Sequence, residues 1–187
     1  MRIVGGELRS RRLQGPADGV RPTSDRVREA LFAWLGDVEG QRVLDLFAGT
    51  GALALEALSR GAKVAVLVDR SARSLAVVRS NVEALGLSGR AQVVRGDAVR
   101  AVRRLAGVDP FDLVFLDPPY DSDRLVPSLG ALVSAQLLAP GATLVVESSK
   151  RHSLAPIPGL AVVDEKGYGD TRLTWLTPRG ERGSKTR

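Results

Sequence analysis

The stretch Val43-Leu44-Asp45-Leu46-Phe47-Ala48-Gly49-Thr50-Gly51 constrains the fold more than any other part of this 187-residue chain. An apolar, extended-favouring run carries a carboxylate and passes directly into a glycine-rich turn. Ala52 to Arg60 then reads as a helix, with Leu53, Ala54, Ala57 and Leu58 on one face. Glycine has no Cβ and tolerates positive φ, so a strand–glycine turn–helix lets backbone approach a ligand closely. Without a ligand the same residues make a tight β–α connection; with one they make a nucleotide-type cofactor site.

The alternation that starts here continues along the chain. Strands are predicted over 42–47, 63–69, 91–95, 111–117 and 142–148, with helices over 51–60, 71–86, 97–105 and 122–137 between them. Strands this continuous in Val and Leu are buried on both faces, as in a parallel sheet covered by helices. After Ser149 the pattern changes: Pro156, Pro158 and Gly159 rule out a long helix. Leu160–Lys166 and Asp170–Leu176 read as two strands joined at Gly167-Tyr168-Gly169, an antiparallel pair added at one edge. The expectation is an α/β, Rossmann-like, mostly parallel seven-stranded sheet with an antiparallel edge pair.

Ahead of this core, residues 1–15 suggest a short basic hairpin or extended arm around Gly5-Gly6, and Pro16–Pro22 a loop. Thr23 or Ser24 caps a helix whose Val27, Ala30, Leu31, Trp34 and Leu35 form an apolar stripe, ended by Gly36. Arg26, Arg28 and Glu29 are assigned to its other face. The predicted organisation is a basic arm over 1–22, one domain over 23–178 and a basic tail over 179–187.

Composition narrows the function classes. At 44% hydrophobic the chain buries the core of one domain, and it contains no apolar run long enough to span a membrane. The start, Met1-Arg2-Ile3-Val4-Gly5-Gly6-Glu7, lacks the apolar region of a signal peptide, so a cytoplasmic protein is expected. With no cysteine there is no disulfide, thiolate metal site or cysteine nucleophile, and no metal is expected. The net charge of +6 is concentrated at the ends: residues 1–28 hold seven arginines against three acids, and the tail four basic residues against one acid. Arginine suits bidentate phosphate contact, and a solvated basic surface is the plainer explanation of charge alone.

Gly49-Thr50-Gly51-Ala52-Leu53-Ala54 formally satisfies G-x-G-x-x-G/A, and Asp69 follows at the spacing of a ribose-binding acid, so a nicotinamide dehydrogenase is one reading. Asp45 argues against it, because a diphosphate would meet an adverse charge there. A cofactor with an ammonium and a sulfonium, and no phosphate, would welcome that carboxylate. Asp97, at the end of the third strand, could accept a hydrogen bond from an adenine amine. The fourth strand ends in Asp117-Pro118-Pro119-Tyr120, the most specific signal in the chain. Two prolines stiffen the backbone and remove two N–H donors, so the Asp117 carboxylate and the Pro118 carbonyl can both face one small donor. Tyr120 offers an aromatic face to a planar base.

On these residues the chain resembles the class I S-adenosylmethionine-dependent methyltransferases. Asp45–Gly51 matches their first motif, Asp69 the ribose acid, Asp97 the adenine-side acid and Asp117–Tyr120 the (Asn/Asp)-Pro-Pro-(Tyr/Phe/Trp) motif of amino-methyltransferases. Arg2-Ile3-Val4-Gly5-Gly6, Arg21-Pro22-Thr23-Ser24-Asp25-Arg26-Val27-Arg28-Glu29-Ala30-Leu31-Phe32 and Tyr168-Gly169-Asp170-Thr171 resemble one family within that class. These are the RsmD-type enzymes, which methylate guanine N2 in 16S ribosomal RNA of the small subunit. Asp69 departs from the longer Glu expected in many members, but either acid reaches ribose hydroxyls.

The resemblance implies S-adenosyl-L-methionine as cofactor, held by Asp45, Phe47, Ala48, Gly49, Thr50, Gly51, Asp69, Arg70, Asp97, Ala98 and Asp117. It implies Asp117, Pro118, Pro119 and Tyr120 at the reacting amine. Arg9, Arg11, Arg12, Arg21, Thr23, Arg26 and Tyr120 are the candidates for RNA contact, with ribosomal RNA or a small-subunit particle as partner. A monomer is the default for one domain. His152 is expected to be exposed, Trp34 and Trp175 to be core, and Asn81 to be a structural polar contact. The rival readings are a DNA adenine-N6 or cytosine-N4 methyltransferase, for which 187 residues leave little room, and an RNA-binding assembly factor without catalysis. A glutamine-N5 protein methyltransferase would carry Asn in place of Asp117.

Overall fold

The computed structural model describes residues 1–15, 24–119, 123–151 and 154–180. Within them lie α1 (Asp25–Leu35), β1 (Arg42–Leu46), α2 (Ala52–Ser59), β2 (Val64–Asp69), α3 (Ala72–Ala84), β3 (Ala91–Arg95), α4 (Ala98–Arg104), β4 (Phe111–Leu116), α5 (Leu125–Ser134), β5 (Leu138–Ser149), β6 (Leu160–Tyr168) and β7 (Thr171–Pro178). The strands form one sheet in the order β3-β2-β1-β4-β5-β7-β6. The first five pair in parallel, while β7 runs antiparallel to both β5 and β6. The order reverses between β1 and β4, so the loops leaving these two strands diverge and open a crevice at their C-terminal ends.

Each face of the sheet is covered, as the uninterrupted Val and Leu runs require. Val43, Leu67, Phe115, Val145 and Trp175 pack with Leu31 and Phe32 of α1 and with α2 and α3. Leu44, Val66, Val114, Leu116 and Val146 pack on the opposite face with Ala101 and Val102 of α4 and Leu129 and Leu132 of α5. The α2 sequence, Ala52-Leu53-Ala54-Leu55-Glu56-Ala57-Leu58-Ser59, is buried along its whole length. A helix buried all round needs a second layer outside it, and the N-terminal arm is that layer.

The arm is a basic turn closed by an Arg2–Arg12 antiparallel bridge. Ile3 and Leu13 belong to the core, at 1% and 6% exposure. Fully buried Glu56 accepts the N–H groups of Val4 and Gly5 at 2.8 and 2.7 Å and pairs with Arg60 at 2.8 Å. Ser59 accepts from the Leu8 N–H and donates to the Gly5 carbonyl, at 2.9 and 2.7 Å. A buried carboxylate persists only when its lone pairs are met, so these contacts fix the arm on α2.

Three local expectations change. Arg28, assigned to the outer face of α1, is fully buried; it donates to the Arg2 carbonyl and pairs with Asp25 at 2.8 Å, so it ties α1 to the arm. β5 starts at Leu138 rather than 142, because Leu138 pairs with Phe111 before a register irregularity allows Leu113 to pair with Thr143. Trp34 is half-buried: its ring stacks on Trp175 at 4.7 Å and its indole N–H donates to Asp164 at 2.8 Å, so α1 is fastened to β6 and β7. The indole has an apolar body and one polar tip, and both are used.

Candidate active site

The register of the parallel strands decides which side chains meet. Leu46 pairs with Val68 and with Leu116, and Leu116 pairs with Val146. The residues one step further, Asp69, Phe47, Asp117 and Glu147, therefore stand in one row across the C-terminal edge of four neighbouring strands. Asp45 lies two residues back on the same face of β1. Four carboxylates thus converge at the point where the sheet order reverses.

The turn leaving β1 holds Phe47, Gly49 and Gly51 at φ of 69°, 57° and 79°. For a phenylalanine this left-handed backbone is strained by roughly 1–2 kcal/mol, a cost that clusters at functional sites. A Cβ on Gly51 would lie 2.9 Å from Leu67 Cδ2 and 3.3 Å from Leu55 Cδ1, so that glycine is required for space as well as for φ. At Gly49 the nearest atom to a Cβ would be the Phe47 carbonyl oxygen, 3.9 Å away. The room beside Gly49 is open to a ligand.

Two polar side chains brace this turn. Asp69 accepts the Gly49 N–H at 2.9 Å through one oxygen and the Ser71 N–H at 2.8 Å through the other. Asn81, buried at 2% exposure on α3, donates to the Thr50 carbonyl at 3.0 Å. The same carboxamide accepts the Gln14 N–H at 2.7 Å and donates to the Gln14 carbonyl at 3.2 Å. The structural polar contact expected of Asn81 is a joint between the turn and the arm.

Burial shapes the electrostatics. Asp45, 2% exposed, accepts the Ala54 N–H at 3.3 Å. Desolvation pushes its carboxyl up from the ordinary 3.8 to about 7; the Ala54 hydrogen bond opposes this and the neighbouring Asp69 charge adds to it. Asp117 is raised well above the usual carboxylate range, first by burial and then by the charges of Glu147 and Asp45. Like charges held in a low dielectric favour protonation or the arrival of a cation. A diphosphate would be repelled, whereas a cationic, phosphate-free ligand fits this donor set and the open space beside Gly49.

The remaining candidates are distributed around this centre. Ala48, Thr50 and Ala98 are buried, Arg70 is exposed, Pro118 is buried and Pro119 exposed. Asp97 caps α4 through the Arg100 N–H at 3.4 Å and binds Arg124 at 2.5 Å, so its carboxylate already has two partners. Arg9, Arg12 and Arg26 are exposed, while Arg11 donates to the Ala84 carbonyl at 2.7 Å and is anchored on α3. Met1, Arg2, Arg12, Leu13 and Asp25 line an open cavity of about 440 Å³ on the arm. Arg21, Thr23, Tyr120 and His152 lie outside the described residues. Among the described residues no helix is long and apolar enough to cross a membrane, and no cluster of three or more acids or histidines could hold a metal.

Sequence reasoning missed Glu147 and Arg124. Glu147 carries the same signal as Asp45, Asp69 and Asp117, a carboxylate closing a run of Val and Leu. Arg124 has no comparable signal, since its role depends on where the loop after β4 delivers it.

A Rossmann-like α/β sheet with a glycine turn and carboxylates at its switch point defines the class as a methyltransferase fold. The chain belongs to the RsmD-type family: the model of that family, described as conserved hypothetical protein 95, matches residues 1–177. The ribosomal RNA small subunit methyltransferase D of Escherichia coli K12 is 39% identical over 160 residues, covering 84% of this chain and 79% of that one. YlbH of Bacillus subtilis is 37% identical over 184 residues, covering 96% of this chain and all of that one. The solved structure of Escherichia coli yhhF superposes with a TM-score of 0.86 at 33% identity, over 97% and 99% of the two chains.

Proposed function

We propose that this chain transfers a methyl group from S-adenosyl-L-methionine to the exocyclic N2 of a guanine in small-subunit ribosomal RNA. The observation that carries the chemistry is Asp117-Pro118-Pro119, set by the register of β4 beside Asp45 and Glu147 at the switch point. The name of the Escherichia coli relative supports the choice of RNA. When bound, the cofactor supplies a methyl group on a cationic sulfur, already activated, so no metal is called for.

The guanine amine is a poor nucleophile because its lone pair is delocalised into the ring. Asp117 and the Pro118 carbonyl accept its N–H bonds and favour the pyramidal geometry that frees the lone pair. One such oriented group is worth roughly 10²–10³ in rate. Burial and the neighbouring Glu147 and Asp45 charges raise the Asp117 pKa, which makes its carboxylate a stronger base toward the amine's proton than an ordinary aspartate. Asp45 and Asp69 with the turn Phe47–Gly51 hold the cofactor, with Arg70, Asp97 and Ala98 on its adenine side. Tyr120 stacks on the guanine, which has to be splayed out of folded RNA to reach it. Arg9, Arg12, Arg21, Thr23 and Arg26 contact phosphates; Arg11 serves chiefly to anchor the arm. The chain acts as a monomer in the cytoplasm.

The test is transfer of labelled methyl from the cofactor to small ribosomal subunits, to their naked RNA and, in parallel, to duplex DNA, followed by nucleoside analysis. N2-methylguanosine is the expected product. N6-methyladenine or N4-methylcytosine in DNA would move the activity to DNA, and RNA binding without any product would leave an assembly factor.

A further inference from the structure

The basic arm docks on α2 and α3, the helices that follow β1 and β2. Along the sheet, β4 with Asp117 at its end lies between β1 and β2 on the arm's side and β5 and β7 on the other. A nucleotide turned out of its strand needs its backbone held on both flanks, or the strand swings about a single anchor.

The far flank carries its own cations. β5 runs on from Glu147, beside Asp117, into Ser148, Ser149, Lys150 and Arg151, and Ser148 pairs with Arg172 of β7. Lys150 and Arg151 are exposed and Arg172 half-exposed. Lys150 and Arg172 are held in place. The Lys150 N–H donates to the Asp170 carbonyl at 2.9 Å, joining the end of β5 to the β6–β7 turn. Arg172 Nη2 donates to the Lys150 carbonyl at 3.3 Å. The Lys150 stem lies flat over Gly167, where a Cβ would collide with its Cε and come within 3.0 Å of Nζ.

Among the described residues, none of these three cations has a carboxylate partner, although Asp170 stands in the same turn. Three cations kept together around one acid repel one another and gain from a polyanion laid across them. The same arrangement gives Tyr168-Gly169-Asp170-Thr171 a purpose: it is the turn to which the end of β5 is tied.

We propose that Lys150, Arg151 and Arg172 form a second RNA-backbone contact, on the side of Asp117 opposite the arm. This rests on the reading of the chain as an RNA methyltransferase. The two basic surfaces grip the strand on either side of the target base and leave the base itself over Asp117.

The test is the salt dependence of binding to small ribosomal subunits and to their naked RNA. Lys150→Met keeps the stem over Gly167, Arg151→Gln removes one charge, and Arg151→Lys preserves it. Each neutral substitution should lower the slope of log K against log salt by about one and weaken binding about five- to tenfold near 0.1 M salt. Lys150→Met with Arg151→Gln should remove about two, and Arg151→Lys should keep the slope of the unsubstituted chain. Affinity for S-adenosylhomocysteine and the melting temperature should stay unchanged throughout. If the unsubstituted chain binds RNA with a slope that neither neutral variant alters, the second contact does not exist. If the unsubstituted chain binds neither subunits nor RNA, the functional reading and the contact both fail.

Discussion

Burial gives the Asp45 carboxylate a stability cost in the folded chain, and that cost can be measured. The perturbation is Asp45→Asn, which keeps the size and an acceptor for the Ala54 N–H while removing the titration. In the folded chain the carboxyl titrates near 7 against an ordinary 3.8. Below 3.8 the group is protonated in both folded and unfolded states and contributes nothing to pH dependence. Between 3.8 and 7 the unfolded chain loses this proton while the folded chain keeps it, so stability falls as pH rises. Above 7 both forms are ionised and the loss levels off. Its full size, from about 7 against 3.8, is roughly 4 kcal/mol, and it is an upper figure because the site can relax.

The neutral amide escapes that loss. Against it stand a weaker hydrogen bond to Ala54 and new N–H donors needing partners, about 1 kcal/mol. Asp45→Asn should therefore be more stable than the parent by about 2–3 kcal/mol at pH 8, and equal or slightly less stable at pH 4.5. Urea denaturation of both proteins across that range gives the two curves. A cationic ligand should reverse the preference by pulling the parent carboxyl down, so binding of S-adenosylmethionine at pH 7 should release protons from the parent. Asparagine removes that share of the release, visible by calorimetry in buffers of different ionisation enthalpy. Parallel stability curves for parent and variant from pH 4.5 to 8 would refute the reasoning, since they would mean that Asp45 does not titrate in this interval.

Asp117→Ala should lose at least ~10² in methyl transfer while S-adenosylhomocysteine still binds, and a variant with full turnover would remove Asp117 from the chemistry. Glu147→Gln takes away one of the charges that hold the Asp117 carboxyl up, so the acid limb of the pH–rate profile should move to lower pH; an unmoved limb would mean that the two groups do not face each other. Asn81→Leu leaves the Gln14 N–H and the Gln14 and Thr50 carbonyls unmatched, and should cost about 2–4 kcal/mol in urea denaturation and weaken cofactor binding. Arg9→Gln with Arg12→Gln should weaken RNA binding without altering the melting temperature. Removing residues 1–14 should instead lower it sharply, because Glu56 loses two backbone partners and the core loses Ile3 and Leu13.

The sheet was legible because its inner strands β1, β2 and β4 are buried on both faces. A continuous Val and Leu run, as in Val64–Val68 or Leu113–Leu116, leaves no choice but a covered parallel strand, and the glycine turn marks where the first one stops. Arg28 was misplaced for an opposite reason. Helical periodicity assigns every charge to solvent, and only the return of the arm shows that a buried guanidinium has the Arg2 carbonyl and Asp25 to meet it. The start of β5 was hidden by Pro140 and Gly141, which read as a loop although the chain already pairs with β4 at Leu138. Glu147 was visible in principle, as a carboxylate ending a strand. Recognising it required the register that puts it beside Asp117, and register is a property of the assembled sheet.

The distribution of charge gives the site an internal logic. A chain of net charge +6 keeps Arg9, Arg12 and Arg26 exposed on the arm and α1, and gathers four buried or half-buried carboxylates at the strand ends. A phosphate entering that acidic row would meet Asp45, Asp69, Asp117 and Glu147, two of them buried, and be repelled. A neutral base carries no such penalty, and a sulfonium is drawn in. On the proposed function, an RNA backbone would stay on the basic rim and only the base would descend, which is the geometry that turning a nucleotide out of its strand produces. On that same function, the acidic floor that would hold the methyl donor would also sort which part of the RNA can reach it. Neutralising the floor should thus admit phosphate where the present charges exclude it, a consequence that follows from the register of four strands.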